Sequence, residues 1–589
     1  MSHDHTALFR AELSRRGLDG FLVPRQDEFQ GEYVAPYAER LKWLTGFQGS
    51  WGMAICMMDR GAIFVDGRYT IQVREQVDTD LYSPRHLADE PPSKWMETEL
   101  RPGEVLGYDP WLLTPDHVKR FEKACEAAGA KFVAITDNPI DAVWADQPAR
   151  PLAPVQSHPT QFAGQSLTDK LKNVSAELVK SKADAIVLTT PDSVAWIFNI
   201  RGGDVSYTPI ALAFAIVHAN GKAELFIDEA RTPEDVRAQL GASVAIKSPA
   251  QFLVALGGLK SRVLIDPDWV PEAVRAALAA TGAEIVNGKD PCVLMKARKN
   301  PIEQEGTRLA HRRDGVAMVR FLRWLESAAP KGRETELSAA ARLEFFRQAT
   351  GELKDLSFNT ISAAGPHAAI PHYSVDEASN LPVKKNEIFL IDSGGQYLDG
   401  TTDITRTVMI GKPTDEMKDR FTRVLKGMIG ISRLRFPKGT CGSQMDVLAR
   451  QSLWSMGLDF DHGTGHGVGS YLSVHEGPAR INKSDRTPFE PGMILSNEPG
   501  FYKAGSFGIR IENLLLVREA EAIPGGERPM HWFETLTLAP IDRRLIAAKL
   551  LTVEERDWLN AYHARVEREL SPLLAADDAA WLKKACAKI

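Results

Sequence analysis

Asp461-His462-Gly463-Thr464-Gly465-His466-Gly467-Val468-Gly469-Ser470-Tyr471-Leu472-Ser473-Val474-His475-Glu476-Gly477-Pro478 interleaves three histidines with glycines. Such a run makes a poor helix and a poor amphipathic strand, so backbone freedom and imidazole chemistry are its expected purposes. Four carboxylates flank it at the ends of apolar runs. Asp392 follows the Glu-Ile-Phe-Leu-Ile of residues 387–391, and Asp403 comes eleven residues later. Glu498 closes the Met-Ile-Leu-Ser-Asn of residues 493–497, and Glu512 lies within the Gly-Ile-Arg-Ile-Glu-Asn-Leu of residues 508–514. An acid at the end of an apolar strand is costly to desolvate unless a cation or hydrogen bonds offset it. Four acids and an imidazole point to a metal, and two divalent cations would cancel the four negative charges.

Hard oxygen ligands with one imidazole disfavour a thiolate site and suit manganese, or zinc and cobalt. Two such ions can share a water and lower its pKa towards about 7, giving a hydroxide nucleophile while polarising the carbonyl or phosphoryl group attacked. The alternation of Ile509 and Ile511 with Arg510 and Glu512 sets the last two on one strand face, where the guanidinium can orient a carboxylate. A surface ion pair is the plainer alternative for Arg510. His372 lies in a turn-rich stretch, residues 365–373, and His475 follows His466 by nine residues. Lone histidines are commonly structural, but a metal-assisted hydrolase gains from donors near the carbonyl oxygen and from a proton carrier.

The rest of the chain bounds the setting. Its 589 residues exceed one ordinary domain, and 44% hydrophobic with 25% charged residues is a globular composition able to bury large cores. A net charge of -6, with no long basic run, argues against nucleic acid or an anionic membrane as partner. No signal-peptide layout and no apolar run of roughly 20 residues is present, so a cytoplasmic location is expected. The five scattered cysteines, Cys56, Cys125, Cys292, Cys441 and Cys586, form no CxxC pair and predict neither a disulfide framework nor a thiolate site.

Residues 1 to about 158 alternate helix and strand patterns, with strands expected at 20–23, 61–65 and 130–133 and helices at 8–16 and 114–128. A Pro-rich segment, residues 147–154, reads as a linker. The plan then repeats: residues 184–188 answer 19–23, 194–203 answer 41–49, and 262–267 answer 105–110, giving two related α/β domains in tandem. Helical periodicity follows at 302–327 and 335–350, strands begin near Leu356, and helices return at 414–435 and 445–456. The end, from Thr552, opens with a capping-box pattern and predicts one long amphipathic helix for packing or self-association.

Residues 392–407, the His-Gly-Thr-Gly-His-Gly-Val-Gly run from His462 to Gly469, the Asn-Glu-Pro-Gly-Phe-Tyr of 497–502 and the Gly-Ile-Arg-Ile-Glu of 508–512 carry a resemblance. Together they resemble the proline-specific aminopeptidases of the pita-bread metallopeptidase superfamily, most closely the long, three-domain cytosolic form of aminopeptidase P. The resemblance implies two creatinase-like α/β domains (1–158 and 159–297), a pita-bread α+β catalytic domain (298–538) and a C-terminal helical extension (539–589). It implies Asp392 and Asp403 on one metal ion, Asp403 and Glu512 bridging to a second, and His466 and Glu498 completing that second site, usually with manganese. It further implies that Glu498 is general base and proton shuttle, that His372 and His475 bind substrate or stabilise the tetrahedral intermediate, and that His462, Tyr502 and Arg510 support the site. The implied reaction hydrolyses the N-terminal X-Pro bond of peptides through a metal-bridging hydroxide, in a homodimer. An X-Pro bond is a tertiary amide with no N–H and a restricted φ, so a site shaped to the ring can accept what most peptidases reject. Arg68, in Asp66-Gly67-Arg68-Tyr69, is either a contact at the substrate cleft or a plain turn residue. A prolidase acting on dipeptides, a creatinase-like enzyme and a metal-free binding scaffold are the rival readings. The doubled N-terminal domains favour the aminopeptidase, and the complete ligand set argues against the scaffold.

Overall fold

Short apolar runs form the central strands of the first two sheets. Gly20–Pro24 pairs antiparallel with Met53–Met57 and parallel with Val105–Tyr108, so it is covered on both edges and reads as a continuous buried run. Gly61–Val65 and Ser83–His86 extend the sheet on one side and Lys131–Ala134 on the other. Ala185–Leu188 occupies the same place in a second six-stranded sheet, antiparallel to Phe214–His218 and parallel to Arg262–Ile265. Ala223–Phe226, Val244–Lys247 and Glu284–Asn287 complete it with the same order and strand senses as the first sheet. The repeated plan expected from the sequence is therefore a repeated topology.

The computed structural model describes residues 2–589 and divides into two units: Met1–Thr160 with Gln165–Val293, and Gln161–Gly164 with Leu294–Ile589. The two six-stranded sheets belong to the first unit. Arg68 is tied there to Asp66 at 2.8 Å and lies 3.6 Å from Glu32. All five cysteines are buried and none is joined in a disulfide. No described helix is long and apolar enough to cross a membrane.

The second unit begins with a helix whose start is written in its sequence. Asn300 caps Pro301–Ala328 by accepting from Ile302 N and Glu303 N, while the Glu303 side chain returns to Asn300 N, and Pro301 fills the first position. Glu336–Gln348 follows. Three strands, Ile361–Ala364, Glu387–Ser393 and Ile404–Ile410, form one sheet. A six-stranded antiparallel sheet runs Arg435–Phe436, Met530–Thr535, Asn513–Glu521, Ile494–Asn497, Gly465–Gly467 and Glu476–Ile481. The helices Asp415–Ser432 and Gly442–Trp454 pack on each other over a core that includes Phe421, Leu425, Met445, Leu495 and Leu515.

Three expectations change. The histidine stretch, read as a poor amphipathic strand, contributes Gly465–Gly467 to the large sheet, between Ile494–Asn497 and the edge strand Glu476–Ile481. Glycine is required there because a Cβ on Gly465 would lie 2.0 Å from Ser496 O. The C-terminal helix is two helices, Val553–Leu570 and Ala576–Ala585, because Pro572 has no N–H to continue the ladder. The Thr552–Glu555 capping box is present as expected. Arg510 and Glu512 do not share a strand face: Phe507–Arg510 ends at Arg510 and the next strand begins at Asn513.

The strand Phe507–Arg510 also packs against the short helical turn Gly365–Ala369, where Gly508 permits close approach. A Cβ at Gly508 would stand 1.7 Å from Ala368 O, a clash with backbone that no rotamer relieves. Gly508→Ala is expected to cost about 1–3 kcal/mol, the usual range for forced overpacking, read as a lowered urea midpoint.

Candidate metal centre

The large and small sheets of the second unit each deliver acids at strand ends. Asp392 is next to last in Glu387–Ser393 and pairs across to Thr405, and Asp403 directly precedes Ile404–Ile410. Glu498 directly follows Ile494–Asn497, and Glu512 sits in the break before Asn513–Glu521. His466 is the centre of Gly465–Gly467. Asp392, Asp403, His466 and Glu512 are buried.

Neighbouring hydroxyls and carbonyls set the ligand atoms. His466 Nδ1 donates to Gly467 O at 2.9 Å, which leaves Nε2 with its lone pair 3.5 Å from Asp403 Oδ2 and 3.4 Å from Glu498 Oε1. Ser496 Oγ accepts from His466 N at 3.0 Å and donates to Glu498 Oε1 at 3.0 Å, joining the two. Thr405 Oγ1 donates to Glu512 Oε2 at 2.9 Å and accepts from Arg510 Nε at 3.2 Å. Arg510 reaches Asp392 Oδ2 at 2.7 Å, so the acid it orients is Asp392 rather than the expected neighbour Glu512, and its 2% exposure excludes the surface ion pair.

From Arg510 a second line of bonds leads outward. Its Nη1 donates to the Tyr502 hydroxyl at 2.8 Å, and that hydroxyl lies 2.8 Å from His462 Nε2. His462 Nδ1 donates to Gly463 O at 2.7 Å, so in the neutral ring Nε2 accepts from Tyr502. The His475 ring meets the His466 ring edge to face, centroids 4.2 Å apart. Its neighbour Glu476 is clamped by the ammonium groups of Lys299 and, at 3.2 Å, Lys296, all buried. His372 is half-buried in the segment after Gly365–Ala369, the turn that packs against the strands bearing Asp392 and Arg510.

The electrostatics are those of crowded acids. Burial raises the pKa of Asp392, Asp403 and Glu498, Asp403 to about 6, and burial with repulsion from Asp403, Glu498 and Asp392 holds Glu512 well above the usual range. Burial, then His475, lowers His466 to about 4. Burial opposes the Arg510 cation, but Tyr502, Asp392 and Glu498 outweigh it and its pKa lies well above normal. Arg406 is fully enclosed without a carboxylate partner: it donates to the carbonyls of Glu512, Thr405, Ala539 and Pro540, to Asn513 Oδ1 and to the Tyr562 hydroxyl.

These residues fit divalent cations. Ligand atoms of Asp403, His466 and Glu512 lie within 4.8 Å of one another. Asp392 Oδ1 and Glu512 Oε1 are buried acceptors that receive no hydrogen bond, a cost that a cation would relieve. Thr405, Ser496 and Arg406 were not singled out in the sequence. Thr405 alone had a local signal, standing two residues beyond Asp403 in the alternating run.

Metal uptake must displace protons from the raised carboxyls. A carboxyl whose folded pKa exceeds its unfolded value costs the metal-free protein stability as pH rises, for Asp403 between about 4 and about 6. His466, depressed to about 4, is half-protonated at the lower edge of that window and neutral over the rest of it, so its own proton release runs in the same direction. The Tm gap between metal-loaded and metal-free protein is therefore expected to widen from about pH 4 to 7, and calorimetry in buffers of different ionisation enthalpy should show proton release on loading. A gap that narrows with pH would contradict this.

Comparison with known proteins matches the description "Metallopeptidase family M24" over residues 305–519 and "C-terminal region of peptidase_M24" over 529–589. "Creatinase/Prolidase N-terminal domain" matches twice, over 6–143 and 146–303. A probable Xaa-Pro aminopeptidase P of Coccidioides posadasii is 39% identical over 598 residues, covering 98% of each chain. Its counterpart in Aspergillus niger is 39% identical over 600 residues, 98% of this chain and 97% of the relative. The X-prolyl aminopeptidase of Caenorhabditis elegans, described as a cytosolic enzyme with a di-nuclear active site, superposes with a TM-score of 0.95 at 34% identity over 100% of both chains. A Bacillus anthracis Xaa-Pro dipeptidase shares the fold over 64% of this chain and 99% of its own (TM-score 0.52, 22% identity). Similarity of this depth, running from the first α/β repeat through the helical end, establishes that the chain belongs to the Xaa-Pro aminopeptidases of metallopeptidase family M24.

Proposed function

We propose that the chain removes the first residue from peptides whose second residue is proline, using two divalent ions held by Asp392, Asp403, His466, Glu498 and Glu512. The carrying observation is the pair of buried acceptors, Asp392 Oδ1 and Glu512 Oε1, in a cluster where protein groups already orient Asp392 Oδ2, Glu512 Oε2, Glu498 Oε1 and the His466 ring. Asp392, Asp403, Glu498 and Glu512 would hold the ions through their carboxylate oxygens and His466 through Nε2. Manganese suits this hard donor set, with zinc and cobalt as substitutes. When bound, the ions supply Lewis acidity at the scissile carbonyl and a hydroxide nucleophile at neutral pH.

The chain's own groups do the rest. Glu498, its pKa raised by burial, can accept a proton and pass it to the proline nitrogen, which leaves as a secondary amine and must be protonated to depart. His475, against the His466 ring, and His372 donate towards the oxygen on which charge develops. Arg510 fixes Asp392, and the Tyr502–His462 line holds Arg510 in turn. Proline in the second position removes the N–H that a peptidase would otherwise bind, so selection rests on ring shape and on this proton delivery.

We read the chain as creatinase-like domains at 1–158 and 159–297, a pita-bread domain at 298–538 and a helical extension at 539–589. We also assign it a cytoplasmic location, supported by the cytosolic description of the worm relative, and a homodimeric state, supported by the family resemblance.

Two measurements test this. Metal-stripped protein given Mn²⁺ is expected to release arginine from Arg-Pro-Pro and not from Arg-Ala-Pro, and release from both would overturn the proline assignment. Asp403→Asn is expected to lower kcat by roughly three orders of magnitude, the several kcal/mol of charge stabilisation that a metal provides. Wild-type turnover with full metal content in that variant would remove Asp403 from the site.

A further inference from the structure

Glu336 opens the helix Glu336–Gln348 and is fully buried. Its Oε1 accepts from Ala364 N at 2.7 Å and from His367 Nδ1 at 2.9 Å, and its Oε2 accepts from the Tyr373 hydroxyl at 3.0 Å and from Leu381 N at 2.8 Å. The main chain adds Glu336 N to Leu381 O at 3.0 Å and Ser362 Oγ to Glu336 O at 2.7 Å. These donors come from the beginning, middle and end of residues 364–381, and His372 stands between two of them, His367 and Tyr373. The His367 and Tyr373 rings also touch, centroids 4.3 Å apart, closing the chain around His372.

A buried carboxylate persists only where its acceptor directions are filled, and an ionised acid is the side chain that presents four such directions with no proton of its own. The arrangement is too complete to serve helix capping alone, since one acceptor suffices for a cap. The segment it gathers has no regular ladder between the turn Gly365–Ala369 and the strand Glu387–Ser393, so Glu336 replaces the missing secondary structure. The same segment leans on the metal-side strands through the turn at Ala368, where Gly508 allows backbone contact.

We propose that Glu336 is the positioning residue for His372, fixing the segment 364–381 so that the imidazole meets the substrate. This rests on the reading of His372 as a substrate-binding group. The Glu336 carboxylate is engaged by Ala364, His367, Tyr373 and Leu381, so it acts through the donors on either side of His372.

The test uses the full-length, metal-loaded protein. Glu336→Gln turns one acceptor oxygen into an NH₂ that must face donors. The expected result is a fall in kcat for Arg-Pro-Pro of about tenfold or more, with KM changed by less than about threefold. Metal content stays at the wild-type value, and the amides of 364–381 exchange hydrogen faster. His372→Ala alone lowers kcat, and adding Glu336→Gln to it brings no further loss, the coupling expected of residues acting as one unit. An equal further loss in the double variant means a purely structural role and overturns the proposal, as does wild-type kcat in Glu336→Gln despite faster exchange. If Glu336→Gln does not fold, Tyr373→Phe removes one donor only and is read the same way, with a loss of about fivefold expected, one hydrogen bond's worth. Wild-type kcat in His372→Ala, with Glu336 intact, overturns the role given to His372, and its appearance in that single variant separates this failure from the others.

Discussion

Repulsion among four enclosed carboxylates is the constraint on which the catalytic half of the molecule depends. Asp392, Asp403, Glu498 and Glu512 converge from two sheets into a space where burial alone pushes their pKa values upward. Arg510 stands against Asp392 as a direct counter-charge. Thr405 and Ser496 each spend a hydroxyl on one carboxylate and brace it against a neighbour, so geometry is kept while charge is left uncompensated. A centre built this way is stable as a holder of cations and costly as anything else.

That cost is also what made the site readable. Acids closing apolar strands stand out because an unpaired one would not survive selection for stability, and glycines around His466 stand out because side chains would not fit between adjoining strands. The fold class and the family expected from those motifs hold, and the tandem α/β plan reappears as two sheets of identical strand order. The structure also brings His462, Tyr502 and Arg510 into one hydrogen-bonded line, although Arg510 serves Asp392 across the sheet rather than the acid beside it in sequence.

What stayed illegible was made by contacts between distant parts of the chain. Glu336 looks like an ordinary first-turn acid, and only the return of the chain at Ala364 and Leu381 gives it donors. Nothing in the sequence around Lys296 and Lys299 marks them as buried; their partner, Glu476, lies far along the chain. The strand Gly465–Gly467 has no hydrophobic alternation to announce it, because its place is set by neighbours on both edges rather than by its own side chains.

Arg406 carries a consequence of another kind. Its guanidinium is bonded to the carbonyls of Glu512 and Thr405 and to Asn513 Oδ1, and also to Ala539, Pro540 and the hydroxyl of Tyr562 in the helix Val553–Leu570. Ala539, Pro540 and Tyr562 follow the four acids and His466 in chain order. During synthesis the acids and His466 therefore emerge before the cation beneath them can be enclosed, and a growing chain carries ligands without a finished floor. The support beneath the acids is therefore completed only by residues from Ala539 onward, and the helix Val553–Leu570 is part of the cluster's foundation rather than an appendage.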